Sequence, residues 1–114
     1  MTDQKDETLR RIRAEWEEEE KAADRLDYDE IGGATYLTVN RPSLLRLQAR
    51  SYEAGYQAGI EAMRERIDDI VQAICELPDR TSPDDDPGAL IVTVQELRRV
   101  LDDRLDALKA VDRG

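Results

Sequence analysis

The sequence predicts an all-α protein of three helices, organised by a long central helix, with up to two short β segments and a coiled-coil-like oligomeric state. Three observations lead there. Apolar residues recur at intervals of three and four along most of the 114 residues, the signature of one buried helical stripe. Glycine and proline cluster at only two places, Gly32-Gly33 and Pro78 to Gly88. Charged residues make up 39% of the chain and aromatics 4%, with no Phe, so the core must be built from Leu, Ile, Val and Ala. Chains this poor in large apolar side chains often complete their core against a second copy.

Residues 1–30 read as an acidic N-terminal helix. Leu9, Ile12, Trp16, Ala23 and Leu26 form its stripe, interrupted by Glu19. The run Glu17-Glu18-Glu19-Glu20 weakens the helix through like-charge repulsion, which Lys21 and Arg25 offset. Residues 31–41 read as a Gly-rich turn and a β-prone stretch, Thr35 to Val39, ending at Asn40. That asparagine is suited to cap a helix with Pro42 in its first turn.

Residues 42–77 carry the strongest periodic signal. Tyr52, Tyr56, Ile60, Met63, Ile67, Ile70, Ile74 and Leu77 follow one another at spacings of three or four, a heptad-like seam. An unbroken helix of that length would measure about 54 Å, against a diameter of about 35 Å for a domain of this size. It must project, bend or pair, and Gly55 and Gly59 mark 55–59 as the place for a break. Residues 78–92 read as a Pro/Asp-rich linker, including Asp84-Asp85-Asp86, followed by a second β-prone stretch. Residues 93–114 read as the C-terminal helix, opened by a Thr93/Glu96 capping box, with Leu97, Leu101, Leu105 and Leu108 on its apolar face. Gly33-Ala34 with Thr38-Val39 echoes Gly88-Ala89 with Thr93-Val94, so the two β segments are candidates to pair.

The formal net charge of −10 disfavours phosphate backbones and anionic membrane surfaces, and suits a protein partner with a basic surface. No apolar run approaches a membrane span, no leader pattern opens the chain, and a single cysteine precludes an intrachain disulfide. The expected location is therefore the cytoplasm. Arginine outnumbers lysine 14 to 3, a bias suggestive of a GC-rich bacterium or its phage.

The chain contains no His, which removes Ser-His-Asp and Cys-His catalysis, His-containing zinc sites, and the base best matched to neutral pH. Cys75, between Ile74 and Leu77, reads as a buried small hydrophobe. Glu61, Glu65 and Asp68 share one helical face; with the glutamate run, the Glu65-x-x-Asp68 spacing faintly resembles the all-helical nucleotide pyrophosphohydrolases, a resemblance that implies a Mg²⁺-dependent site. Arg64 is placed to pair with Asp68 instead, as on a solvated face. The segment Thr35 to Val39, then Pro42, a helix to Gly55 and a second helix, resembles the ribbon-helix-helix DNA-binding family. That resemblance implies a strand shared between two subunits, with Tyr36, Thr38 and Asn40 facing the major groove and Leu37 and Val39 facing the core. Arg41, where that family carries an apolar residue, departs from it.

The most distinctive local feature is Tyr52-Glu53-Ala54-Gly55-Tyr56-Gln57-Ala58-Gly59. Small residues at this spacing allow close helix packing, either within the chain's own core or against a partner. The expected function is a non-enzymatic protein–protein interaction module, an adaptor, regulatory subunit or inhibitor, without cofactor, metal or catalytic residues. Its expected interface is Tyr52, Gly55, Tyr56, Gly59, Ile60 and Met63, with Trp16, Glu17 and Glu18 of the acidic first helix. A homo-oligomer is expected and a nucleic-acid partner is not. The alternatives are an acidic mimic that blocks a nucleic-acid-binding protein, a ribbon-helix-helix regulator, a phage structural component and, last, the pyrophosphohydrolase.

Overall fold

A computed structural model describes residues 2–26, 33–80 and 88–111, with side chains over 4–26, 33–80 and 88–108. The Asp84-Asp85-Asp86 triplet and Gly32 lie outside the described residues. Helices α1 (Thr2–Ala22), α2 (Arg41–Gln57), α3 (Met63–Cys75) and α4 (Val94–Val111) surround strands β1 (Asp24–Leu26), β2 (Tyr36–Asn40) and β3 (Ala89–Thr93). The architecture is thus mostly helical but not all-α: among the described residues there are four helices where three were expected, and three strands where at most two were. The three strands form one antiparallel sheet in the order β1-β2-β3. Among the described residues no helix is long and apolar enough to cross a membrane.

The first helix ends earlier than its stripe suggested. Ala23 N donates to Glu20 O at 3.3 Å, closing the last turn. The chain then bends so that Asp24, Arg25 and Leu26 pair with Thr38, Leu37 and Tyr36. Leu26, expected on the helix, belongs to a strand. Asp-Arg-Leu has little intrinsic β preference, so pairing with β2 accounts for β1.

Strands β2 and β3 pair over their full length, Tyr36 opposite Thr93 through Asn40 opposite Ala89. Alternation puts Leu37, Val39, Leu90 and Val92 on the helix-covered face, where all four are buried. Each strand runs directly into a helix, and the two junctions are tied reciprocally. Arg41 N, opening α2, donates to Gly88 O at 2.8 Å, and Val94 N, opening α4, donates to Thr35 O at 2.9 Å. The sequence echo aligned Thr38 with Thr93, whereas in the fold the counterpart of Thr93 is Asn40, since each caps the helix that follows. Asn40 Oδ1 accepts from Ser43 N at 3.2 Å. Thr93 Oγ1 accepts from Glu96 N at 3.1 Å while Glu96 Oε1 accepts from Thr93 N at 3.2 Å, the reciprocal geometry of a capping box.

Both edges of this ribbon are covered. β1 lies along β2, and beyond β3 Arg80 N donates to Ile91 O at 3.0 Å while Asp79 Oδ1 accepts from Ile91 N at 3.2 Å. The linker residues Pro78 to Arg80 are therefore tied to the sheet, which protects an edge otherwise open to pairing with another chain.

The expected long central helix is two helices. They break at residues 58–62, and α3 folds back along α2. The seam read from the sequence holds from Ile60 onward: Ile60, Met63, Ile67, Ile70 and Ile74 are all buried. Before that point it holds only at Tyr52, which is half-buried against the core. Tyr56 is 80% exposed, and α2 buries Leu44, Leu47, Ser51, Ala54 and Gly55 instead. With Leu9, Ile12 and Trp16 of α1 and the four leucines of α4, the buried seam residues and Leu44, Leu47 and Ala54 of α2 form one continuous cluster. Each fully buried Leu or Ile contributes about 1.5–3 kcal/mol. Cys75, expected inside, is exposed: it stands beside the buried Ile74 on the last turn of α3, turned away from α2 and α4.

Candidate functional site

The side chains singled out in the Tyr-Gly segment converge on the elbow between α2 and α3. Gly59 supplies the turn. Its φ is +74°, a left-handed conformation that costs other residues roughly 1–2 kcal/mol. The exposed helix-end groups are satisfied by Gly59 N donating to Tyr56 O at 3.1 Å and Ile60 N donating to Gly55 O at 2.8 Å, the two bonds of a Schellman motif. Gly55 allows the return: a Cβ there would lie 2.6 Å from Met63 Cε and 3.4 Å from Ile60 O. Both glycines therefore have intramolecular tasks. Of the two packings the sequence leaves open for the small-residue strip, Gly55 takes the one within the chain.

This geometry leaves a half-open, predominantly apolar groove of about 600 Å³ lined by Ser51, Tyr52, Gly55, Tyr56, Ile60 and Met63, with Glu53, Glu61 and Arg64 at its margin. Its floor is buried Ile60 and Met63. Its wall is Tyr52, over whose ring the Arg64 guanidinium sits 5.2 Å from the centroid, an attraction between the cation and the ring face. Arg64 is thus engaged with Tyr52, while Asp68, its expected partner, accepts a 3.1 Å hydrogen bond from Gln48 Nε2. Tyr56 stands on the rim with most of its ring in solvent.

The other expected interface residues lie elsewhere. Trp16 is 1% exposed and reaches the elbow only from behind: its Nε1 donates to Ser51 Oγ at 3.0 Å, and that hydroxyl donates to Leu47 O at 2.9 Å. Glu17 and Glu18 are exposed on α1 and are not among the groove's lining residues. Glu17 Oε1 accepts from Arg13 Nε at 3.1 Å, and Arg13 Nη1 also reaches Asp106 on α4 at 2.8 Å. These two carboxylates hold the Arg13 guanidinium above its usual value, Asp106 more strongly. Arg98 and Glu20 join the same two helices at 3.3 Å.

Ala49 also lines the groove, and it and Leu45, on the same face of α2, were not singled out from the sequence. Leu45, Ala49, Tyr52 and Tyr56 fall at intervals of four, three and four, so α2 carries two apolar stripes. The tandem Leu44-Leu45 was the available signal, since one leucine belongs to each. Leu44 is 3% exposed and Leu45 is 56% exposed.

Among the described residues no three His, Cys, Asp or Glu side chains stand close enough together to hold a metal ion, and Glu61, Glu65 and Asp68 are all exposed. A second, smaller crevice of about 120 Å³ opens between the end of α1 and the start of α2, with Glu19, Glu20 and Asp24 at its mouth and Trp16, Leu44 and Leu97 among its walls. What the elbow offers chemically is apolar area, two phenol hydroxyls and an arginine held over a ring. The chain matches no family model, no curated protein and no solved structure.

Proposed function

We propose that the protein is a non-enzymatic protein–protein interaction module, an adaptor, regulatory subunit or inhibitor, that docks its partner on the α2–α3 elbow. One observation carries the reading. The two large apolar side chains left exposed among the described residues, Leu45 and Tyr56, lie on a single stripe of α2 that ends at the apolar groove. Isolated exposed apolar residues are ordinary; a contiguous stripe beside a pocket is the mark of an interaction surface. Tyrosine at its centre fits, because it adds large apolar area with a hydrogen-bonding tip. Away from the elbow, the net charge of −10 suits a partner with basic character, and the single cysteine suits the cytoplasm as the setting.

Two alternatives weigh less. A nucleic-acid mimic needs unbroken carboxylates at phosphate-like spacing, but Arg13 and Arg98 tie α1 to α4 through Asp106 and Glu20, in the midst of its carboxylates. A ribbon-helix-helix regulator pairs its strand with another subunit, and here β2 has a neighbour from its own chain on each side.

The test is a photocrosslinking amino acid at Ala49, exposed at the middle of the stripe, in the cells that encode the protein. Irradiation is expected to join the chain to a protein at that position and at Tyr56, but not at exposed Glu18 on α1. Equal labelling at all three positions, or none at any, refutes the reading.

A further inference from the structure

The outer stripe of α2 has the features of a surface built to meet itself. Leu45 is an exposed apolar knob at one end, and the groove beside Tyr52, Tyr56 and Ile60 is an apolar hole at the other. Eleven residues separate Leu45 from Tyr56, three helical turns and about 16 Å, so knob and hole point the same way. If two copies of α2 lie antiparallel, Leu45 of each faces the groove of the other, and Ala49 of each faces the partner's Tyr52. This closes a two-fold contact in which the same patch serves both subunits. A parallel pair would set knob against knob and leave both holes empty.

Charge points to the same arrangement. Arg46 and Glu53 flank the stripe on one side, seven residues apart, and both are exposed. Neither has an ion-pair partner among the described residues; Arg46 Nη2 donates to Ser43 Oγ at 3.1 Å. In antiparallel helix pairs the residues flanking the seam on one side face their equivalents in the other chain, which sets Arg46 beside the partner's Glu53, and Glu53 beside the partner's Arg46. The small alanine at 49 lets the backbones approach at the centre. In a chain of net charge −10, this stripe is bordered by Arg46, Arg50 and Arg64 against Glu53 and Glu61, so two copies meet here without the repulsion the rest of the surface carries.

We propose that the protein forms a symmetric dimer through antiparallel pairing of α2, with Leu45 of each copy seated in the elbow groove of the other. The proposal rests on the reading of the elbow as a docking site and names its occupant as a second copy. A seam of three turns buries less than the roughly 1,200 Å² of stable standard interfaces, so the dimer is weak and exchanges with monomer.

Sedimentation equilibrium on the full chain across about 1 µM to 1 mM, the range of dissociation constants suited to so small a contact, is expected to show a monomer–dimer equilibrium. Leu45→Ser is expected to weaken it at least about tenfold, the loss typical of a truncated interface anchor. At concentrations where both chains are monomeric, its circular dichroism should not change and its thermal midpoint should change little, since Leu45 is more than half exposed and lies outside the core cluster. Arg46→Glu and Glu53→Arg should each weaken the dimer several-fold, and the double reversal should restore it, a rescue specific to charges facing one another across the axis. A chain that stays monomeric at 1 mM, or a dimer indifferent to Leu45→Ser, or a double reversal without rescue, overturns the proposal. If the chain is monomeric yet the crosslinker at Ala49 captures a different protein, the dimer is refuted while the docking site stands; if it captures nothing, both fall.

Discussion

The methyl end of Met63 occupies the place where a side chain on residue 55 would begin, 2.6 Å from a Cβ built there. This one contact sets how closely α3 returns along α2, and with it the shape of the groove. Leucine at 55 would displace Met63 and push against Ile60 O, so Gly55→Leu is expected to cost about 1–3 kcal/mol, as overpacking does. Met63→Ala alone should cost about 2–5 kcal/mol by leaving a cavity. The double variant should lose clearly less than the sum, because the new leucine fills the vacated space. Urea unfolding of the four proteins measures the coupling; strict additivity would show that the two residues do not compete for one volume.

Gly59 makes a different prediction, since nothing lies within 4 Å of a Cβ added there. Its requirement is conformational. Gly59→Ala is expected to destabilise by about 1 kcal/mol through its left-handed φ, and Gly59→Asn by less, because asparagine tolerates that region. Equal losses for the two in chemical denaturation would indicate a steric cause instead.

Ser51 is 0% exposed and holds the Trp16 indole. Ser51→Ala removes the acceptor and leaves a buried N–H unpaired, at a cost of about 1–3 kcal/mol. Cysteine, nearly the same size but a weak acceptor, should recover only part of this. Thermal unfolding followed by Trp16 fluorescence reads both effects; an unchanged midpoint for Ser51→Ala would mean the hydrogen bond contributes nothing net.

The Thr93/Glu96 box predicts a pH dependence. Burial pushes the Glu96 carboxyl up, but hydrogen bonds from the Thr93 hydroxyl and backbone N–H, together with Arg80 at 2.9 Å, hold it below its ordinary 4.5. As the pH falls, the unfolded chain takes up the Glu96 proton first. The box therefore contributes fully above pH 4.5 and loses its contribution as the pH drops through the lowered native value. Thr93→Ala should cost about 1 kcal/mol at neutral pH and progressively less below pH 4.5 in acid-dependent urea titrations. A constant difference down to pH 2 would contradict the coupling.

Much of this fold was legible residue by residue. The caps at Asn40 and Thr93, the stripes of α1 and α4, the seam from Ile60 to Ile74 and the break invited by Gly55 and Gly59 are consequences of helix geometry and hydrogen-bond satisfaction within a few residues. They are read without knowing what packs on what. Tyr52 and Tyr56, singled out for the alternation of aromatic and small residues, and Ile60 and Met63, singled out for the seam, line one groove. Leu45 and Ala49 were missed because the heptad seam was drawn through the tyrosines alone.

Other features depended on partners distant in the chain. β1 exists because β2 offers an edge, not because Asp24-Arg25-Leu26 favours a strand. Cys75 is exposed because α3 presents Ile74, and not its neighbour, to α2 and α4. Above all, α2 carries two apolar stripes of similar spacing, and periodicity gives each an equal claim to the core. The choice fell to the helices and sheet that close around Leu44, Leu47, Ser51 and Ala54. Burial energy belongs to pairs of surfaces, so a pattern within one segment describes what can be buried, and the neighbours in space settle which face is.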